Sequence, residues 1–145
     1  MPRVSQLTVL AAPFVWWGMV LAISFLEAPL KFRAPGITLP LGLGIGRLVF
    51  RALNLAEVVL AGVLILAGAV SGLPVAGWVL LVVVCAVLSV QVLVVRPPLD
   101  ARAARVVAGH RPPDSRLHLA YIGLEGAKAI ALPVLGIVLL GAVLP

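Results

Sequence analysis

Apolar residues run through this chain in long blocks, and the polar residues among them collect at the same end of each block. No charged residue occurs between Arg3 and Glu27, and none between Glu57 and Arg96. Crossing the hydrocarbon core of a bilayer takes about 20 consecutive apolar residues in a helix. The pattern therefore predicts transmembrane helices over about residues 7–28, 46–70, 74–95 and 117–143. Pro29 and the Pro97-Pro98 pair are expected to end the first and third of these, and Pro133 to kink the fourth. Ser71-Gly72-Leu73-Pro74 supplies a tight turn between the second and third.

Between the helices lie basic loops at 29–45 and 96–116. Residues 34–45 are apolar but punctuated by Pro and Gly, which predicts a short segment lying at the interface. Residues 99–109 alternate Arg102 and Arg105 with Ala103, Val106 and Val107, a pattern that fits a short amphipathic surface helix. The expected fold is all-α: one polytopic domain over residues 1–145, four transmembrane helices threaded up and down as a bundle. A faint repeat runs through it. Pro29-Leu30-x-x-Arg33-Ala34 recurs as Pro98-Leu99-x-x-Arg102-Ala103, and the same offset lays Arg47-Leu48 on Arg116-Leu117. This spacing is what two duplicated hairpins would leave behind.

Composition agrees with the membrane reading: 63% of residues are hydrophobic, 11% are charged, and the mean hydropathy is +1.22. The formal charge of +6 does not point to nucleic acid, because the basic residues flank the apolar blocks. Anionic lipid headgroups are the expected partners. Loop charge also sets the expected orientation. Lys31, Arg33, Arg47 and Arg51 follow the first span, and Arg96, Arg102, Arg105, Arg111 and Arg116 follow the third. By the positive-inside rule both basic connections are cytoplasmic and both termini outside. The opening apolar run is followed by Glu-Ala-Pro-Leu-Lys and not by a small-x-small cleavage site, so an uncleaved first helix is expected. Cys85 is the only cysteine, which leaves no intrachain disulfide and a packing role.

The polar residues carry the functional lead. Glu27 closes the first span; Arg47, Arg51, Asn54 and Glu57 open the second; Gln91 and Arg96 close the third; His118, Tyr121, Glu125 and Lys128 open the fourth. An up-down bundle would gather them into one polar pocket at one face of the bilayer, leaving the other half almost wholly apolar. At about 100° per residue, His118, Tyr121, Glu125 and Lys128 fall within an arc of roughly 80°, and Arg47, Arg51, Asn54 and Glu57 within about 120°. A charge at the bilayer centre costs on the order of 3 kcal/mol, so these faces must meet protein or a wet cavity.

Each residue admits a structural and a functional reading. Glu125 and Lys128, three apart, either neutralise each other or form a pair that handles a proton or ligand, with His118 able to titrate near neutral pH. Arg47 and Arg51 either snorkel to phosphates or hold an anionic headgroup. Glu57 lies deep, with Asn54 one turn away as a possible co-ligand. Glu27 has a local partner in Lys31 at i+4, Gln91 adds a neutral donor and acceptor, and Tyr121 also fits an interfacial anchor. Glu27, Glu57, Glu125 and His118 have the types of a divalent-metal site but no paired ligand spacing, so no metal and no cofactor is expected. Gly42-x-Gly44-x-Gly46-Arg47 has the look of a phosphate loop without the strand that such a loop follows.

The stretch Phe25-Leu26-Glu27-Ala28-Pro29-Leu30-Lys31-Phe32 resembles the small uncharacterised bacterial four-helix integral membrane proteins, which often end the first span with an Ala-Pro-x-x-Phe element. The resemblance covers the first third of the chain. It implies a four-helix inner-membrane protein and transfers no catalytic residue. Taken together, the residues point first to a small transporter or channel-like protein with a cytoplasm-facing pocket for a small polar solute, ion or proton. The alternatives are a membrane enzyme or binding protein for a lipid-like substrate, and an accessory subunit of a larger complex. Four thin helices enclose little space, so a homo-oligomer or a larger membrane assembly is expected.

Overall fold

Proline decides where two of the helices change pitch. A proline inside a helix lacks the N–H for the i−4 bond and presses its ring on that carbonyl, and a wider turn just before it relieves both problems. The computed structural model, which describes residues 2–112 and 115–144, has this device twice. A π-helical turn over Leu21–Glu27 precedes Pro29, with the Ala28 N–H bonded to the Ile23 carbonyl. A second over Gln91–Val95 precedes Pro97 and Pro98, with the Arg96 N–H bonded to the Gln91 carbonyl. Both turns fall where the 69-residue offset of Pro29 and Pro98 would put them.

Among the described residues the chain is helical, with short connections and no strand. Four helices are long and apolar enough to cross a membrane: α1 (Arg3–Arg33), α2 (Leu39–Ser71), α3 (Val75–Val107) and α4 (Leu117–Val143). The first three are longer than the hydropathy pattern indicates, and α4 has the expected span. α1 continues through Pro29 and ends in a 3₁₀ turn over Lys31–Arg33. α2 begins at Leu39, where the Thr38 hydroxyl accepts the Leu41 N–H at 3.3 Å and Pro40 sits in the first turn. The apolar segment over 34–45 is therefore mostly helix. α3 is not broken at Pro97-Pro98; the π-turn absorbs both prolines, and the expected surface helix is its continuation, Arg96–Val107. The expected turn after α2 is present, with Gly72 at φ 75° and its N–H on the Gly68 carbonyl at 2.9 Å. α4 continues past Pro133.

α1 packs against α2 and α4, α3 packs against α4, and the Arg96–Val107 end of α3 packs against α2. The apolar core takes Val9, Ala12, Trp16 and Val20 from α1, Ala61 and Leu64 from α2, Leu81, Val84 and Leu88 from α3, and Leu132, Leu135 and Leu139 from α4. Small residues bring the helices close, as is common where lipid supplies no hydrophobic drive. Gly136 lies against the Phe14 ring and Gly77 against Leu139. Among the small residues of α2, Ala61 and Gly68 are buried while Gly62 and Ala69 face outward. The outer surface is apolar, with Leu66, Val75, Leu93 and Ile130 each more than 70% exposed.

Candidate functional site

At the end of the bundle where the basic connections lie, the fold buries a cluster of polar side chains. Glu57, Gln91 and Lys128 are 0% exposed and Glu125 is 1% exposed. An ammonium so buried must be compensated, and Lys128 reaches two carboxylates: Glu57 of α2, and Glu125, 2.8 Å away on its own helix. Both carboxylates accept further bonds, at the oxygens that face Lys128 and at the other two. Glu57 accepts from Trp16 Nε1 and from Asn54 Nδ2, both at 2.9 Å. Glu125 accepts from the Ser24 hydroxyl at 2.7 Å and from Gln91 Nε2 at 2.6 Å. Asn54 Nδ2 also lies 3.2 Å from the Tyr121 hydroxyl, which ties the two halves together. Each helix contributes: Trp16 and Ser24 from α1, Asn54 and Glu57 from α2, Gln91 from α3, and Tyr121, Glu125 and Lys128 from α4.

The π-turns position two of these groups. Ser24 sits inside the first and Gln91 opens the second, and both donate to Glu125. Such turns shift the register of the side chains that follow, and they recur at functional sites. The Trp17 indole donates to the Ala129 carbonyl at 2.9 Å and fixes α1 against α4.

Next to the cluster is a partly open cavity of about 460 Å³. Glu125, Tyr121 and Ser24 form part of its lining, so it borders the buried ions directly. Its walls also hold Lys31, Arg47, Arg96, Asp100 and His118, together with apolar Phe25, Phe32, Leu43, Phe50, Leu99 and Ile122. Arg96 pairs with Asp100 at 3.3 Å and donates to the Arg47 carbonyl at 3.2 Å, while Arg47 stands 4.0 Å from the same Asp100 oxygen. The Phe50 ring lies between Lys31, 5.8 Å away, and Arg96, 5.4 Å away, so cations face it twice. The glycine-rich start of α2 has a packing purpose here. A Cβ at Gly42 would collide with the Phe32 ring, and one at Gly46 would come within 3.0 Å of Lys31 Nζ. These glycines lie in a helix and let the end of α1 dock onto it.

The sequence-derived residues separate into three groups. Asn54, Glu57, Gln91, Tyr121, Glu125 and Lys128 meet in one buried network. Arg47 and His118 line the cavity beside it, His118 exposed in the first turn of α4. Arg51 is exposed on the far edge of its arc, and Glu27 pairs with Lys31 at 3.7 Å, half-buried and outside the network. Among the described residues no three or more His, Cys, Asp or Glu side chains converge as a metal site; Lys128 occupies the space between the two deep glutamates. Trp16, Ser24 and Asp100 were not marked by the charge pattern. Trp16, Val20 and Ser24 recur every four residues on the buried face of α1, and a buried indole N–H requires an acceptor, which is the signal that points to Trp16.

The polar network ends where the apolar core begins, and that core fills the bundle toward a smaller cavity of about 170 Å³ at the Gly72-Pro74 turn. Comparison with protein-family models, with curated proteins and with solved structures finds no match.

Proposed function

We propose that the protein is a small inner-membrane carrier that binds a small polar solute or ion in the cavity beside Glu125 and couples it to a proton held in the Glu57–Lys128–Glu125 cluster. The observation that carries this reading is the buried cluster bordering an open cavity. Ionisable side chains inside a membrane are costly to retain and mark substrate pathways and proton relays. Two carboxyl groups share one ammonium, so a single exchangeable proton brings the cluster to neutrality. The apolar core beyond it supports a carrier, which must rearrange to open the other side, over a standing pore.

Finer features follow the same reading. Both basic connections face the cytoplasm and both termini lie outside, in keeping with the positive-inside rule. Anionic headgroups surround the exposed Arg51 and the arginines of the α3–α4 connection. The wide apolar surface also favours a homo-oligomer or a place in a larger membrane complex. The shared proline-linked π-turns favour two duplicated hairpins.

The test is proton movement into proteoliposomes loaded with a pH-sensitive dye, driven by a potassium diffusion potential, with a panel of small polar solutes and inorganic ions added outside. Wild-type protein should acidify the lumen faster than protein-free vesicles, and E57Q and E125Q should lose at least nine-tenths of that excess. A wild-type rate equal to that of empty vesicles overturns the proposal. A second reading, retention of a lipid-like molecule without passage, draws on the apolar wall of the cavity formed by Phe25, Leu43 and Ile122.

A further inference from the structure

The cavity wall has more positive charge than its own carboxylates neutralise. Lys31 is matched by Glu27 at 3.7 Å, and Glu125 shares Lys128 with Glu57 in the cluster that the proposed proton brings to neutrality. What remains is two guanidinium groups, Arg47 and Arg96, against the single carboxylate of Asp100. The match is incomplete in geometry as well as in charge. Arg47 Nε stands 4.0 Å from Asp100 Oδ1, too far for a hydrogen bond. Arg47 Nε and Arg96 Nε are both buried donors without an acceptor. A guanidinium presents its N–H groups in a planar fork that fits a carboxylate or phosphate, and the Arg47 side chain is about one-third exposed. The rest of the wall is apolar, including Phe25, Leu43 and Ile122.

We infer that the ligand of this cavity is an acid with an apolar body: a carboxylate or phosphate head on Arg47 and Arg96, and a hydrocarbon portion against Phe25, Leu43 and Ile122. This rests on the cavity being the ligand site of the proposed carrier, and it names the class of molecule the site takes. About 460 Å³ is enough for a small organic acid or the head and upper chain of an acidic lipid. The guanidinium pair recognises the same head chemistry in both.

The test is a set of short ligands added to the purified full chain in detergent, with binding read by calorimetry: hexanoate, hexyl phosphate, hexanol, hexylammonium and inorganic phosphate. Hexanoate and hexyl phosphate should bind, hexanol and hexylammonium should not, and inorganic phosphate should bind at least tenfold more weakly than hexyl phosphate. R47Q and R96Q should each weaken hexanoate binding roughly tenfold, the effect of one lost charge-assisted bond. I122W, which fills the apolar wall and leaves both arginines in place, should weaken it as well and covers the case in which an arginine variant does not fold. If the short acids bind only weakly and phosphatidylglycerol in nanodiscs competes with them, the acid belongs to a lipid; strong binding without competition assigns it to a soluble acid. Equal binding of hexanol and hexanoate, or undiminished hexanoate binding by folded R47Q and R96Q, overturns the inference. Binding is read without flux, so absence of proton movement leaves this result intact, and absence of acid binding leaves the proton test intact.

Discussion

Lys128 Nζ lies 2.8 Å from Glu125 Oε1, one turn earlier on the same helix, and at full burial this is no ordinary surface pair. On an exposed helix an i, i+3 pair contributes a few tenths of a kcal/mol. Here the ammonium also meets Glu57 on α2, so one cation with no exposed surface of its own joins two helices. Removing one partner of such an arrangement leaves a charge with nothing to compensate it.

K128M should therefore destabilise the protein by about 3–5 kcal/mol, the usual cost of breaking a buried ion pair from one side. The triple variant K128M/E57Q/E125Q should regain most of that loss, because no net charge is left in the core. Equilibrium unfolding in detergent, followed by tryptophan fluorescence, reads both. Equal stability of K128M and the wild type would mean that the cluster is hydrated.

W16F keeps most of the buried aromatic volume but removes the Nε1–H donated to Glu57 at 2.9 Å. The carboxylate then loses one of its bonds in a dry setting, and a loss of about 1.5–3 kcal/mol is expected for a bond to a charged group. The companion variant W17F, which loses a bond to a neutral carbonyl, should cost less, about 0.5–1.5 kcal/mol. Parallel unfolding curves check the order.

How much of this was legible beforehand follows from what each signal measures. Charge is so costly in lipid that Glu57, Glu125 and Lys128 had to face inward, and their helical spacing already put them on shared arcs. The same reasoning could not separate Arg47 from Arg51, since both lie near the membrane surface where either can snorkel. Only packing of the Arg96–Val107 end of α3 against α2 draws Arg47 into the cavity and leaves Arg51 exposed. Proline misled in a consistent way. Pro29 and Pro97-Pro98 look like helix ends, but each is preceded by a π-turn that supplies the missing space, so the helix runs on. Ser24 was missed for the same reason, since an ordinary α-helical register does not mark a neutral serine near the end of a span as a partner for Glu125.

That dependence of Ser24 on the π-turn is itself testable. S24A should cost about 1.5–3 kcal/mol by removing the 2.7 Å bond to the Glu125 carboxylate. P29A removes the reason for the wide turn and lets the α-helical ladder close, which carries Ser24 out of reach. If both act through one bond, the S24A/P29A double variant loses less than the sum of the singles, by at least about 0.5 kcal/mol in a double-mutant cycle. Additive losses would separate the turn from the bond.

Gly42 makes a parallel case for the docking of α1 on α2. A side chain there meets the Phe32 ring, so G42V should destabilise the protein by about 1–3 kcal/mol, the cost of overpacking. G42V/F32A should recover part of that loss by removing the obstacle. G62V, at a glycine with open space around its Cα, is the control and should be close to neutral. Thermal unfolding of the three variants ranks them directly.

Orientation is decided by labelling from one side. Gly72 sits in the short uncharged turn between α2 and α3, and His110 in the basic connection between α3 and α4. In a background carrying C85A, which removes the only native thiol, single cysteines are introduced as G72C and H110C. The orientation proposed above has the arginines flanking His110 holding that connection on the cytoplasmic side, with nothing in the α2–α3 turn opposing its passage outward. A membrane-impermeant maleimide added to intact spheroplasts should therefore label G72C, and should reach H110C only after the membrane is opened. The reverse pattern would put the ionic cluster and its cavity at the outer leaflet, and the cavity would then draw its ligand from outside the cell.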